Sequence, residues 1–155
     1  MALNPTGLTS DLTAFFADPP ITVVNDVVDL TASRASCAQE WADAMESYAS
    51  AIVPASTTVA SAAATLSTAL AAAFANASAA AAFDTAFAAF ATTVGSGMTG
   101  FTAVPPPLAL GISATLATTN ATHAAGASAF TTKIDTWMRT GTATPLPSGS
   151  PVNWS

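Results

Sequence analysis

The residues that most often perform chemistry in proteins are few and widely spaced in this chain. His123 is the single histidine and Cys37 the single cysteine, so a zinc site with four nitrogen or sulfur ligands cannot form within one chain. Serines are abundant, but no Gly-x-Ser-x-Gly motif presents one of them as a nucleophile. His123 precedes Phe130 by seven residues and Trp137 by fourteen, and this helical spacing predicts a partly buried structural histidine. We therefore expect no catalytic residue, no enzyme activity and no cofactor.

Two pairs of carboxylates have a spacing that places both members on one helix face. Asp26 and Asp29 form the first pair, and Asp43 and Glu46 form the second. A cation site built from oxygen ligands needs more donors than two carboxylates provide. We interpret both pairs as solvated surface charge, and no bound metal is predicted.

The glycine-rich segment from Gly95 to Gly100 is similar to a phosphate-binding loop only in its glycine content. It follows a predicted helix instead of a strand, and it lacks the lysine that a P-loop uses. We interpret it as a flexible turn, and we predict no small-molecule ligand. Cys37 lies on the same helical stripe as Trp41, which is typical of a small buried hydrophobic residue.

Composition and charge exclude one class of partner and favour another. Alanine contributes 39 residues, serine and threonine together contribute 39 more, and the net charge is −6. Arg34, Lys133 and Arg139 are the only fixed cations, so nucleic acid is excluded because its phosphates require a clustered basic surface. The stretches 47–83 and 85–132 contain no Asp, Glu, Lys or Arg, whereas monomer surfaces normally mix both charges. We expect neighbouring subunits to cover much of this surface.

Hydrophobic periodicity predicts an all-α fold, a single compact bundle of about five to six helices over residues 1–141. The segment Val23–Val28 is β-branched and fits a strand by propensity, but its spacing and the adjoining helix favour a helix, so residues 21–31 stay open. Glycines and the triple proline predict a loop over 95–107, and a break is expected at residues 76–78. The predicted helices are one from Pro5 to Asp18, one over 21–53 with an interruption, 56–75, 78–94, a short one through Leu108, Ile112 and Leu116, and 121–139.

Residues 142–155 are predicted to form an extended C-terminal arm, because three prolines favour an extended path. Leu146, Val152 and Trp154 would be costly to leave in water, since burying such a side chain is worth about 1.5–3 kcal/mol. We expect the arm to dock on its own body or on a neighbour. These three residues are the predicted partner-binding residues.

The two uncharged stretches raise the question of a membrane location. Residues 59–75 contain only four large apolar side chains, and the next segment contains Asp84, which is costly inside a bilayer. Neither segment has flanking Lys or Arg to set an orientation, so a membrane partner is not expected, and a membrane-active, holin-like protein is the alternative. The first five residues lack the features of a signal peptide, and synthesis in the host cytoplasm is the expectation.

Three strings of the sequence resemble small alanine-rich proteins that are encoded among the virion structural genes of tailed bacteriophages. They are the helix from Trp41 to Met45, the alanine-rich middle with Phe83 to Phe90, and the end from Trp137 to Ser155. The resemblance spans most of the chain, although the segment Val23–Leu30 departs from it. It implies a structural virion component of a head–tail connector, neck or tail, located in the virion. Its partners would be copies of itself and other virion proteins, bound by helix packing and arm docking, and the resemblance implies no catalytic residue.

Overall fold

The computed structural model describes residues 2–76 and 79–155. Within them the chain folds mainly into helices, with a few short strands. The helices are α1 (Pro5–Ala17), α2 (Leu30–Ala49), α3 (Val59–Phe74), α4 (Ala79–Ser96), α5 (Ser113–Ala117) and α6 (His123–Met138). The strands are β1 (Val23–Val24), β2 (Val27–Val28), β3 (Phe101–Val104), β4 (Thr142–Pro145) and β5 (Val152–Asn153). The predicted helical bundle is therefore confirmed in its broad architecture, but the fold is not strictly all-α, because five short strands accompany the helices in the described residues.

Helix α1 begins and ends where the sequence predicts. The side chain of Asn4 accepts a hydrogen bond of 2.9 Å from the backbone N–H of Gly7, which caps the helix start, and Pro5 occupies the first turn. The helix ends at Ala17, because Pro19 and Pro20 cannot continue it. Leu8 and Leu12 are fully buried on one stripe, so α1 presents an apolar face to the bundle.

The core lies where α2, α3 and α4 pack against one another. Alanines at several buried positions let the helices approach closely, and aromatic rings fill the space between them. The ring of Trp41 meets that of Phe83 edge-on at 5.3 Å, and Phe83 stacks on Phe87 at 4.9 Å. The break predicted at residues 76–78 includes residues 77 and 78, which lie outside the described part of the chain.

A three-stranded antiparallel sheet replaces two regions that the sequence predicts as loop and arm. Strand β3 pairs with β4, with Phe101 opposite Pro145 and Val104 opposite Thr142, and β4 pairs with β5. Strand β3 is only four residues long, and its half-buried Phe101 and Ala103 alternate with exposed residues. Because glycines precede this short strand and prolines follow it, the sequence pattern of the region predicts a loop and not a strand. The extended arm is not confirmed, and the boundary at residue 141 stays a prediction.

The helix predicted over residues 21–53 begins only at Leu30. Before it, Val23 pairs with Val28 and Val24 with Val27 in a two-residue hairpin. Asn25 and Asp26 have φ angles of 50° and 63°, the left-handed conformation that such a tight turn requires and that Asn and Asp tolerate best. The prediction of a helix here is wrong, because β-branched pairs and a turn-forming dipeptide act together in favour of strands.

Candidate interaction surface

The hairpin is fixed to the start of α2 by hydrogen bonds. The backbone N–H of Asp29 donates to the carbonyl of Thr22 at 2.8 Å, which extends the strand pairing by one step. The backbone N–H of Thr22 donates to the hydroxyl of Ser33 at 2.9 Å. The carboxylate of Asp29 accepts from the N–H groups of Thr31 and Ala32, both at 2.9 Å, and so caps α2. The hairpin therefore projects from the bundle in a defined position.

Six large apolar side chains in and beside the hairpin lie in water. Each of them is between 48% and 68% exposed, and together they form what we name the hairpin patch: Ile21, Val23, Val24, Val27, Val28 and Leu30. The register places Val23 and Val28 on one face of the hairpin and Val24 and Val27 on the other. Single exposed hydrophobic residues are ordinary, but so many on one short element mark an interaction site. An isolated two-stranded hairpin is also marginally stable in water, and both of its strands are edges. The hairpin patch is the strongest candidate for a functional surface in the described residues.

An apolar crevice of about 340 Å³ opens beside the hairpin patch, and Leu30 belongs to both. We name it the aromatic crevice, since rings from five helices form its walls. Its volume lies near the lower end for binding pockets. It is lined by Phe15, Phe16, Leu30, Ser33, Arg34, Cys37, Trp41, Phe74, Phe83, Leu116 and Phe130.

Arg34 is the one charged residue that lines the aromatic crevice. Among the described residues it has no hydrogen-bond or ion-pair partner; the ion pair found there joins Arg139 to Asp135. Cys37 is half-buried and its thiol donates to the carbonyl of Pro20 at 3.7 Å. Burial, followed by the negative charge of Glu40, raises the pKa of this thiol. The interpretation of Cys37 as a small hydrophobic residue holds only in part, since one side of it faces the crevice.

The structure separates the three predicted partner-binding residues. Trp154 is fully buried and its ring lies against Gly141 and Gly95 of its own chain. Its indole N–H has no hydrogen-bond partner among the described residues. Leu146 and Val152 are 60% and 44% exposed. Trp154 thus docks on its own body, which is one of the two expected outcomes, and partner binding by the other two stays a prediction.

The candidate chemical residues do not come together. His123 is the exposed first residue of α6, so its interpretation as a partly buried histidine is wrong; the buried face of that helix starts only at Gly126. Asp26 lies in the hairpin turn, and Asp43 accepts a hydrogen bond of 2.7 Å from the side chain of Gln39. In the part of the chain that the structure describes, no group of three His, Cys, Asp or Glu residues could hold a metal ion.

A partly buried polar cluster joins α2 to α6. The hydroxyl of Tyr48 donates to Asp135 Oδ1 at 2.9 Å, and Arg139 Nε donates to Asp135 Oδ2 at 2.8 Å. Burial, followed by the negative charge of Asp135, raises the pKa of the Tyr48 phenol well above its ordinary value. Each of these three groups is engaged with another, so we interpret the cluster as a structural link between two helices.

The glycine-rich segment is packed against the residues that precede α3. Gly95 and Ser96 belong to α4, and the backbone N–H of Thr57 donates to the carbonyl of Gly97 at 3.1 Å. A side chain at Gly97 would collide with Thr58 and Ser56. Glycine is needed here for close approach between chain segments. Residues 97–100 form a turn after α4, as predicted, and its flexibility stays a prediction.

None of the helices in the described residues is both long and apolar enough to cross a membrane. The sequence matches no protein-family model, and the comparisons with curated proteins and with solved structures give no match. A functional assignment therefore depends on the chain's own surface.

Proposed function

We propose that the protein is a structural assembly subunit of a tailed-phage virion, a component of the head–tail connector, the neck or the tail. The assembly role rests on one observation, the hairpin patch, which exposes six large apolar side chains in a position fixed by hydrogen bonds. The virion setting rests on the resemblance of three strings of the sequence to alanine-rich virion proteins.

The energetics of the hairpin patch favour covering it with protein. Burying apolar surface is worth about 25 cal/mol per Å², so a valine or leucine side chain contributes about 1.5–3 kcal/mol when it leaves water. A second chain at the patch would also supply partners for the edge strands. Because Val24 and Val27 are exposed, the hairpin adds little to the stability of the single chain. Its exposed valines are better explained by association with another chain.

The outer faces of α3 and α4 support the same proposal. Several exposed threonines donate their hydroxyls to backbone carbonyls four residues earlier, as Thr65 does to Ser61 at 3.0 Å and Thr92 does to Ala88 at 2.9 Å. A hydroxyl that is bonded within its own helix needs less water, and the threonine methyl group then faces outward. Helix α3 has no charged residue and α4 has only Asp84, whose carboxylate accepts from the backbone N–H of Ile112, so these helices carry a surface that packs against other protein at low desolvation cost.

Sedimentation of the purified full chain over a range of concentrations tests the assembly role. We expect a mass that rises above the single-chain value of 15.3 kDa as concentration increases. The double variant Val24→Thr, Val27→Thr keeps β-branching at both positions and should stay at the single-chain mass. Val104→Thr is the matched control, because Val104 is an exposed strand valine outside the hairpin patch, and it should assemble normally.

Two results would overturn the assembly role. The first is a wild-type chain that keeps its single-chain mass at every concentration. The second is a double variant that assembles like the wild type. Assembly only in detergent would favour the holin-like alternative, and absence of the chain from purified particles of the producing phage would overturn the virion setting.

A further inference from the structure

The tip of the hairpin combines apolar side chains with one negative charge. Val24 and Val27 flank the turn and are more than half exposed. The side chain of Asp26, in that turn, is exposed and forms no hydrogen bond or ion pair with any described residue. The tip is therefore an apolar projection with an unpaired carboxylate.

The aromatic crevice has the complementary properties. Its walls are almost entirely apolar, and its charged residue is the unpaired cation Arg34. The first third of the chain contains seven acidic residues, yet none of them pairs with Arg34 in the structure. A guanidinium at the mouth of an apolar crevice favours an occupant that has both an apolar body and an anionic group.

We propose that the aromatic crevice of one copy receives the hairpin tip of a second copy, with Arg34 pairing to Asp26 of that copy. This inference rests on the proposed assembly function and identifies the partner as the chain itself. The crevice volume of about 340 Å³ exceeds that of the two valine side chains at the tip. Asp26 then enters beside the one cation available in this region.

The position of Leu30 determines the symmetry of the contact. Leu30 lies in both the hairpin patch and the aromatic crevice, so projection and crevice occupy the same side of the molecule. Two copies can then exchange hairpins reciprocally about a two-fold axis, which closes the contact instead of extending it into a filament. The unit of assembly is a dimer with two identical hairpin contacts.

Charge reversal tests this contact most sharply. Asp26→Lys alone places two cations at each contact, and Arg34→Glu alone places two carboxylates there. Like charges that face each other across an interface oppose binding, so each variant alone should dimerise at least about tenfold more weakly than the wild type. In an equimolar mixture both contacts of the mixed dimer are attractive, and affinity should return to within about threefold of the wild-type value.

Neutral variants and a reporter in the crevice serve as controls. Asp26→Asn keeps a residue that tolerates the left-handed turn and should weaken dimerisation less than Asp26→Lys does. Arg34→Gln should likewise weaken it less than Arg34→Glu. Cys37 lines the crevice, so its rate of maleimide labelling should fall as the wild-type chain is concentrated. This labelling measurement needs no variant and is informative even if a reversal prevents folding.

The outcomes separate this inference from the proposed function. The inference is wrong if either reversal leaves dimerisation unchanged, if the mixture does not recover, or if Cys37 labels equally fast in the assembled chain. Decanoate, which has an apolar chain and a carboxylate, is a small competitor for the crevice. The inference is also wrong if decanoate binds there in an Arg34-dependent manner and dimerisation is not reduced. If the double variant Val24→Thr, Val27→Thr abolishes assembly and the charge reversals do not weaken it, the assembly function is supported and the contact between hairpin tip and crevice is wrong. If the wild-type chain does not associate at any concentration, both the assembly function and the proposed contact are wrong.

Discussion

Two regions of this molecule depart from helix, and they have opposite relations to solvent. The sheet formed by β3, β4 and β5 packs with the fully buried Trp154 and Ala143. The hairpin of β1 and β2 has strands of two residues each, and its valines lie largely in water. The comparison indicates that the first region uses its apolar side chains to complete the fold, and that the second keeps them for association.

The two regions also differ in how the backbone holds them. The C-terminal segment is hydrogen-bonded to two distant parts of the chain, through Leu146 to Gly100 at 2.9 Å and Ser155 to Val53 at 3.1 Å, and Trp154 bonds back to Gly141, just before β4, at 2.9 Å. The hairpin is tied only to the first turns of the helix that follows it, through Ser33 and Asp29. Loss of the first set disturbs the whole bundle, whereas loss of the second set is local.

Removing the ring of Trp154 should have the largest effect on folding. Trp154→Ala leaves a cavity against Gly141 and Gly95 and should lower the free energy of unfolding by about 3–5 kcal/mol in urea titrations. Trp154→Phe should cost less, since the indole N–H has no hydrogen-bond partner among the described residues. Val152→Thr, at an exposed position of the same segment, should change stability by less than about 0.5 kcal/mol. A loss below about 1 kcal/mol for Trp154→Ala would show that the sheet region is not part of the core.

A pair of glycine substitutions should act in opposite directions. A Cβ at Gly141 would lie 2.6 Å from the ring of Trp154, so Gly141→Ala should destabilise the fold by about 1–3 kcal/mol. A Cβ at Gly126, inside α6, meets nothing closer than 3.7 Å. Gly126→Ala should therefore stabilise the fold by about 0.5–1 kcal/mol, because alanine favours the helix. Thermal unfolding of both variants measures the difference, and equal effects would contradict the close packing of Trp154 on Gly141.

The cluster of Tyr48, Asp135 and Arg139 should have an effect on folding that is smaller than that of Trp154 and larger than that of the hairpin valines. Tyr48→Phe removes the hydrogen bond to Asp135 and should cost about 1–2 kcal/mol. Since the pKa of Tyr48 is raised above its ordinary value of 10.0 in the folded chain, its stabilising contribution is complete below that pH. The contribution is lost as the pH rises above it, where the unfolded chain releases the proton more readily.

Unfolding titrations at about pH 8 and about pH 11 measure this dependence. The wild-type chain should lose more stability between the two conditions than Tyr48→Phe does. A variant that loses as much as the wild type would show that the Tyr48 phenol ionises freely in the folded state.

The hairpin valines should have the smallest effect on folding. In dilute solution, where the chain is single, Val24→Thr, Val27→Thr should change the free energy of unfolding by less than about 0.5 kcal/mol, because both side chains are already exposed. Urea titration at low concentration provides the value. A loss of more than about 2 kcal/mol would place these valines in the fold of the single chain and remove the contrast with Trp154.

The sequence predicts the helices well because their signals are local. Asn4 and Pro5 mark the start of α1, and the stripe through Trp41 and Met45 identifies the buried face of α2. The sheet was missed because β3 pairs with a strand about forty residues further along the chain, and no local pattern encodes that partner. The hairpin was missed because Asn25 and Asp26 are weaker turn signals than Asn-Gly.

The candidate site could be predicted from the sequence even less well than the sheet and the hairpin. The aromatic crevice exists only where residues of six helices meet, so its shape depends on packing that periodicity does not describe. That Arg34 is unpaired also follows only from the positions of the acidic groups in space. The exposed valines were visible as a β-branched run, but their exposure depends on the hairpin projecting from α2.

Hydrogen–deuterium exchange, measured on the wild-type chain at two concentrations about a hundredfold apart, tests the central claim most directly. The account predicts that backbone amides of residues 21–30 exchange fast in the dilute sample and slowly in the concentrated one. Amides of residues 142–155 that are bonded within the sheet should be equally protected in both. Exchange of residues 21–30 that does not depend on concentration would contradict the claim that this hairpin is a surface for association.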